Sequence, residues 1–213
     1  GSSDKTKEVL EALSKKNRKL VILINKKNLG YGATVWKGLK AARGEMVFFT
    51  DSDLQFDIKE LGGFIKKIQS CDAVVGYRFR RSEGFFRAFN AWSWKLICRA
   101  MLGIKYNDID CAFKLVKKSF ISRIKIKSTG AAFSAELLYK LERLGARVFQ
   151  MPVKHFKRKS GRPTGAKINV IFKGLKEVFE LYRSQDNLVK SRSMFIYVGA
   201  VIILFLSRYL LLS

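Results

Sequence analysis

Histidine, proline and cysteine are nearly missing from this chain, and acidic residues are scarce. The single histidine, His155, excludes a histidine-rich metal centre. There are only two prolines in 213 residues, and no internal repeat or low-complexity linker is present. The three cysteines, Cys71, Cys98 and Cys111, are widely spaced and lack metal-ligand spacing. Their odd number argues against a disulfide framework, so they read as reduced, cytosol-facing thiols. Only 17 Asp and Glu oppose 42 Lys and Arg, for a net charge of +25. Such a surface attracts polyanions: nucleic acid, anionic lipid headgroups or phosphorylated substrates. No secretory signal is visible at the amino end. An apolar content of 48% excludes a disordered chain, and the length suits one good-sized domain with an appendage.

Against that basic background, Asp51-Ser52-Asp53 stands out. It directly follows the apolar run Met46-Val47-Phe48-Phe49-Thr50. Two carboxylates at i and i+2, at the carboxyl end of a buried strand, can reach one small cluster of ligands. Open α/β sheets place their sites there. Hard oxygen ligands suit Mg²⁺ or Mn²⁺, with a diphosphate as the usual companion. The plain alternative is that Asp53 or Asp57 caps the following helix.

The pattern along the chain predicts an α/β fold with a mostly parallel sheet. Asp4 to Ser14 reads as a helix and Lys19 to Asn25 as a buried strand. The basic loop Lys26-Lys27-Asn28-Leu29-Gly30-Tyr31-Gly32 leads into a helix from about Ala33 to Ala42, and strand Glu45 to Thr50 follows. A helix from about Ile58 to Gln69 precedes strand Asp72 to Gly76. This alternation predicts parallel strands covered on both faces. Further on, Ala112 to Val116 and Arg147 to Val153 read as strands, the latter ending at Pro152. Ser134 to Leu144 and Ala166 to Tyr182 read as helices.

Two segments point to a membrane. Over residues 83–103, Phe85, Phe86, Phe89, Trp92, Leu96, Ile97 and Met101 recur at helical spacing with Arg87, Lys95 and Arg99 between them. That mixture fits a helix lying in the membrane interface, or an ordinary core helix. Residues 194–212 are almost wholly apolar, roughly 28 Å as a helix, close to one hydrocarbon thickness. Arg208 near the end can snorkel to the headgroups. Lys190, Arg192 and the basic domain before the run place that domain on the cytoplasmic face. The expected organisation is a domain over 1–165, a helical connector over 166–193 and a single transmembrane helix over 194–212.

With these pieces in order, the chain resembles the family-2 glycosyltransferases of GT-A fold, most of all the polyprenyl-phosphate sugar synthases of the dolichyl-phosphate mannose synthase group. Gly1-Ser2-Ser3-Asp4-Lys5-Thr6 resembles the end of the family's Asp-Asp-Gly-Ser-x-Asp-x-Thr turn, which implies that an amino-terminal strand belongs before it. Asn28-x-Gly30-x-Gly32-Ala33 with Gly38 and Ala42-Arg43-Gly44 matches its phosphate-side loop and helix. Asp51-Ser52-Asp53-Leu54-Gln55 matches its metal motif, and Val75-Gly76-Tyr77-Arg78 its Gly-Ser-Arg segment. Asp108-x-x-Cys111-Ala112-Phe113-Lys114 resembles its Asp-x-x-Cys-Gly-Phe-Lys, with Ala112 where Gly is usual. Glu136-Leu137-Leu138, Leu144-Gly145, Met151-Pro152-Val153 and Arg158-x-x-Gly161-Arg162 complete the series, with Gln150 where Glu is common.

The resemblance implies inverting transfer of a sugar from a nucleotide-diphosphate sugar to a polyprenyl phosphate, with Mg²⁺ or Mn²⁺ as cofactor. Asp53, Asp51 and Gln55 are then the metal residues, Asp51 also standing at the ribose. Gly30, Gly32 and Lys26 or Lys27 face the donor phosphates. Arg78, Arg158 and Arg162 hold the acceptor phosphate, because guanidinium grips phosphate bidentately. The Arg158 tract also fits attraction to anionic lipid. A phosphate acceptor is already ionised and needs no base; a hydroxyl acceptor would need one, with Asp108 or Asp110 as candidates. Glu136 reads as a buried partner for an arginine, and His155 as a loop residue. Two rivals stay open: a nucleic-acid binder, for which no recognisable module is present, and a non-catalytic membrane scaffold of the same fold.

Overall fold

A computed structural model describes residues 1–79, 85–158 and 168–184, together with Gly199. Seven α-helices and four strands are formed by the described residues. They are α1 (Thr6–Lys16), α2 (Tyr31–Ala41), β1 (Met46–Thr50), α3 (Leu61–Lys67), β2 (Ala73–Phe79), α4 (Phe85–Leu102), β3 (Phe113–Lys117), α5 (Lys118–Arg123), α6 (Phe133–Arg143), β4 (Val148–Lys154) and α7 (Ile168–Arg183).

The strands form one sheet in the order β1-β3-β2-β4. β3 runs antiparallel to both β1 and β2, and only β2 and β4 pair in parallel. The expected mostly parallel sheet is therefore a mixed one. Helical crossovers do make β1 and β2 point the same way, as the alternation predicts. What periodicity could not show is that β3 enters between them from the opposite direction. Its residues Phe113, Lys114, Leu115 and Val116 are all buried, as a central strand requires. β4 runs through Pro152 to Lys154 instead of stopping at the proline. It is an edge strand, where a missing N–H is tolerated.

The expected strand Lys19 to Asn25 does not form. Leu20 to Asn25 takes no regular secondary structure and belongs to no sheet, and Val21 is 76% exposed. An apolar run supplies strand propensity, not a partner, and among the described residues no neighbouring strand pairs with it.

Helices cover both faces. On one face Phe64 of α3 and Ile68 just after it pack against Val74, Phe113, Leu115 and Val153. On the other, Trp36 and Leu39 of α2 meet Val47, Phe49, Val116 and the α6 residues Phe133, Leu137 and Leu141. The alternation along β2, with Val74 on one side and Ala73 and Val75 on the other, is the period-two rule at work. Next to this second layer, Ile97, Cys98 and Met101 of α4 pack with Leu138 of α6 and with Val178, Leu181 and Tyr182 of α7. The carboxyl-terminal half of α4 is therefore core, while Trp92 stays 53% exposed. All three cysteines are free and buried.

Two glycines place the start of α2. Gly30 has φ of 90°, a left-handed conformation that L side chains rarely adopt. A Cβ on it would sit 2.4 Å from the Thr129 carbonyl oxygen. A Cβ on Gly32 would lie 2.7 Å from Phe133 Cβ and 2.9 Å from two carbonyl oxygens of the 128–130 loop. The loop and the helix start therefore touch backbone to backbone.

Candidate active site

β1 ends at Thr50, and the chain turns sharply through Asp51 to Gln55. Leu54 takes φ of 59°, a strained conformation for a branched side chain. Asp53 stabilises the turn locally, its Oδ1 accepting from the Gln55 backbone N–H at 3.2 Å. Its other oxygen, Oδ2, accepts from Arg158 Nη2 at 2.7 Å. Residues 155–158, just past β4, lie along the turn. The Phe156 N–H donates to Gln55 O at 2.9 Å, and Gln55 Nε2 donates to Phe156 O at 3.0 Å. That orientation leaves the Gln55 side-chain oxygen as the atom to meet a cation.

Asp51 is half-buried, and its Oδ1 accepts from the Tyr31 hydroxyl at 3.2 Å. Burial pushes the Asp51 carboxyl up and the Asp53 charge adds to this, while Tyr31, Lys114 and Arg158 oppose it. The Tyr31 hydroxyl is pushed well above its usual range, by loss of solvent first and the Asp51 charge second. Lys114 lies beneath, fully buried, donating to Ile109 O at 3.0 Å and to the Cys111 carbonyl. Burial lowers its pKa.

Arg78 and Asp108 bind each other. Nε meets Oδ2 at 2.6 Å and Nη2 meets Oδ1 at 3.0 Å, with both side chains largely enclosed. Two residues on, Asp110 accepts from Trp94 Nε1 at 3.2 Å. Asp108 and Asp110 line a cavity of ≈ 160 Å³ shared with Trp92, Trp94, Lys95 and Asn107. Asp110 is exposed as a residue, but its carboxyl faces this cavity, where loss of solvent, and then the Asp108 charge, push it up to about 6. A carboxyl raised in the fold binds its proton more tightly there than when unfolded. Its ionisation therefore destabilises the fold as pH rises from the ordinary value of 3.8 towards about 6. The expected result is an Asp110 ¹³Cγ titration midpoint near 6, and in Asp110→Asn a flatter stability curve across that window. A midpoint near 4 would contradict the environment described.

The other sequence-derived residues fall as follows. Gly30 and Gly32 lie at the start of α2 beside Asp51, and Lys26 and Lys27 are exposed on the loop before it. Glu136 is buried, as expected, but its partner is not an arginine. Its carboxylate accepts from Lys140 Nζ at 2.5 Å and from the Lys127 and Ser128 amides at 2.7 to 3.1 Å. His155 packs against the Phe56 ring. Arg162, residues 83–84 and, apart from Gly199, the apolar run 194–212 lie outside the described residues. The sequence gives no role to Tyr31 or Trp94, and Lys114 stands there only as the last residue of the Asp108-to-Lys114 motif.

The chemistry of the donor set fits a hard divalent ion. Among the described residues no three His, Cys, Asp or Glu side chains gather to hold a metal by themselves. Two carboxylates and an amide oxygen, completed by substrate phosphate oxygens, are the usual Mg²⁺ arrangement in phosphate chemistry.

A mixed α/β sheet, layered with helices and carrying an Asp-x-Asp turn at a strand end beside a glycine-gated helix, defines the GT-A class. Solved structures share the fold. Glucosyl-3-phosphoglycerate synthase from Mycobacterium tuberculosis with phosphoglyceric acid aligns at a TM-score of 0.62 and 17% identity, over 88% of this chain and 68% of that one. The same enzyme with Mn²⁺ and UDP-glucose aligns at 0.55 and 17%, over 84% and 63%. The chain belongs to glycosyl transferase family 2, whose profile matches residues 1–125. It is similar to the dodecaprenyl-phosphate galacturonate synthase of Rhizobium johnstonii, at 29% identity over 103 residues, or 47% of this chain and 30% of that protein. It is also similar to the undecaprenyl-phosphate 4-deoxy-4-formamido-L-arabinose transferase of Pseudomonas aeruginosa, at 25% over 123 residues, or 57% and 36%. The chain spans about a third of the length of these two relatives.

Proposed function

We propose that this chain carries the sugar-transfer site of a membrane-associated glycosyltransferase. The enzyme moves a sugar from a nucleotide-diphosphate donor to a polyprenyl phosphate, with inversion at the anomeric carbon. One observation carries the reading most: Asp51 and Asp53, at one strand end, touch the glycine loop on one side through Tyr31 and the basic segment on the other through Arg158. Donor-side and acceptor-side residues thus converge on one carboxylate pair. The names of the two relatives, each a polyprenyl-phosphate sugar enzyme, support the acceptor class.

Asp53, Asp51 and Gln55 hold Mg²⁺ or Mn²⁺, which when bound neutralises the charge that builds on the departing diphosphate. Gly30, Gly32 and Lys26 or Lys27 let the donor phosphates approach the backbone of the loop. Arg158, Arg162 and Arg78, the last held rigid by Asp108, hold the acceptor phosphate. That phosphate needs no general base, so the protein acts by positioning and electrostatics. Arg162→Ala is expected to raise the KM for polyprenyl phosphate about tenfold, the worth of a charge-assisted hydrogen bond, with little change in donor KM. Equal losses on both substrates in steady-state kinetics would count against this role.

A surface stripe supports the membrane. Phe172, Lys176, Phe179 and Arg183 are exposed at i, i+4, i+7 and i+11 on α7, a row of alternating aromatic and basic residues. α7 packs on α4, whose exposed Trp92 adds a further aromatic. Among the described residues no helix is long and apolar enough to cross a membrane. Membrane anchoring falls to residues 194–212, with the catalytic domain on the cytoplasmic face.

A hydroxyl acceptor is the second reading, and one observation favours it. Asp110 lines a cavity with Asp108, and its carboxyl is pushed up to about 6, towards the range in which a carboxylate serves as a general base. One assay decides between them: incubate the enzyme with polyprenyl phosphate and a panel of nucleotide sugars, with and without Mn²⁺. Formation of a metal-dependent glycolipid supports the first reading. Transfer only to hydroxyl acceptors supports the second, and no transfer to either supports a non-catalytic scaffold.

A further inference from the structure

Glu177 stands on α7 but spends its carboxylate on a distant loop. Its Oε1 accepts from the Thr129 N–H at 2.9 Å, the Thr129 hydroxyl at 3.2 Å and the Gly130 N–H at 3.0 Å. On the opposite side of the same loop, the Thr129 carbonyl accepts from the Gly32 N–H at 2.9 Å and the Ala33 N–H at 3.3 Å. Those amides open α2. Between Gly30 and Gly32 sits Tyr31, braced edge-on by the Phe133 ring at 6.3 Å and donating to Asp51. The contacts therefore run unbroken from α7 through the 129–130 loop and Tyr31 to the candidate nucleotide-side carboxylate. The lack of a Cβ at Gly30 and Gly32 makes them rigid, since backbone meets backbone with no side chain to yield.

We propose that Glu177 and Tyr31 are positioning residues that couple the seating of α7 to the orientation of Asp51. The helix bearing the aromatic and basic stripe then sets the geometry of the donor end, so membrane docking and donor binding are linked. This rests on the reading of Asp51 as a metal and nucleotide residue. The linkage is reciprocal: whatever fixes α7 tightens the donor site, and an occupied donor site steadies α7.

The test uses the full chain with Glu177→Ala, Glu177→Gln and Tyr31→Phe. Amide hydrogen exchange at Gly32 and Ala33 is expected to speed up about tenfold in Glu177→Ala, because the carboxylate that fixes the 129–130 loop is gone. Exchange at Leu115 and Val116 in β3 should not change. Glu177→Gln retains an acceptor oxygen and should restore most of the protection. Affinity for Mn²⁺ alone is expected to fall about tenfold in both Glu177→Ala and Tyr31→Phe, with the loss in transfer appearing in donor KM and not acceptor KM. If Gly32 and Ala33 exchange as in wild type, or if Mn²⁺ affinity is untouched in both variants, the coupling is refuted. If wild type binds no Mn²⁺, the metal reading fails by itself. The exchange arm then decides the coupling: faster exchange at Gly32 and Ala33 in Glu177→Ala supports it, and exchange as in wild type refutes it. Should Glu177→Ala not fold, Tyr31→Phe, which removes one hydroxyl, carries the Mn²⁺ and donor KM arms.

Discussion

Asp53→Ala is expected to lower metal-dependent sugar transfer by about a hundredfold or more, the scale of losing one preorganised charge-stabilising group. The fold should survive. Asp53 sits on a surface turn, and its side chain accepts from the Gln55 amide and from Arg158. The pair it forms with Arg158 is partly open to solvent, with the guanidinium 34% exposed. An ion pair of that kind contributes roughly 0–1 kcal/mol, so its loss does not threaten the domain. The check is transfer by the full-length enzyme over a Mn²⁺ titration, with thermal unfolding measured alongside. Unchanged transfer in the folded variant would refute the metal assignment. An equal loss in Mn²⁺-free transfer would show that Asp53 serves the nucleotide and not the ion.

Glu136→Ala is expected to destabilise the fold by about 3–5 kcal/mol, the cost of breaking a buried charged network from one side. Glu136 is 1% exposed. Its removal strands the Lys127 and Ser128 amides and leaves the Lys140 ammonium half-enclosed without its carboxylate. Burial acts to raise the Glu136 pKa, but Lys140 and the Ser128 and Lys127 donors outweigh it, so the carboxyl is held below its ordinary value of 4.5. A depressed carboxyl contributes stability that is present above the ordinary value and lost as pH falls through the folded one. The gap between wild type and Glu136→Ala should thus be full near neutrality and shrink as pH drops below 4.5. Urea unfolding at two pH values measures it. A difference under about 1 kcal/mol at neutral pH would show that the network is not structural. It would then reopen a catalytic role for Glu136.

Much of the fold was legible because its signals are local. The helices α2, α6 and α7 and the strands β1, β2 and β3 lie within a few residues of their expected positions, since hydrophobic spacing acts over one or two turns. The apolar run at Lys19 to Asn25 shows the limit. Its composition is that of a buried strand, yet among the described residues no partner strand pairs with it. Similarly, Glu136 was recognisable as a buried carboxylate, but an arginine was expected where Lys140 and two backbone amides stand. Burial follows from a residue's own surroundings in the pattern, whereas its partner is chosen by the tertiary structure.

By itself the sequence determined the alternation of elements, the strongly basic surface, the carboxylate pair at the end of β1 and the glycines before α2, all properties of contiguous residues. Only the tertiary structure decided that β3 runs backwards between β1 and β2. It also decided that Tyr31 reaches Asp51, that Arg158 meets Asp53 across 105 residues, and that Glu177 grips the 129–130 loop. The reason is physical: hydrophobic period and turn chemistry act along the chain, whereas strand direction and charge pairing depend on which surfaces meet when the core closes.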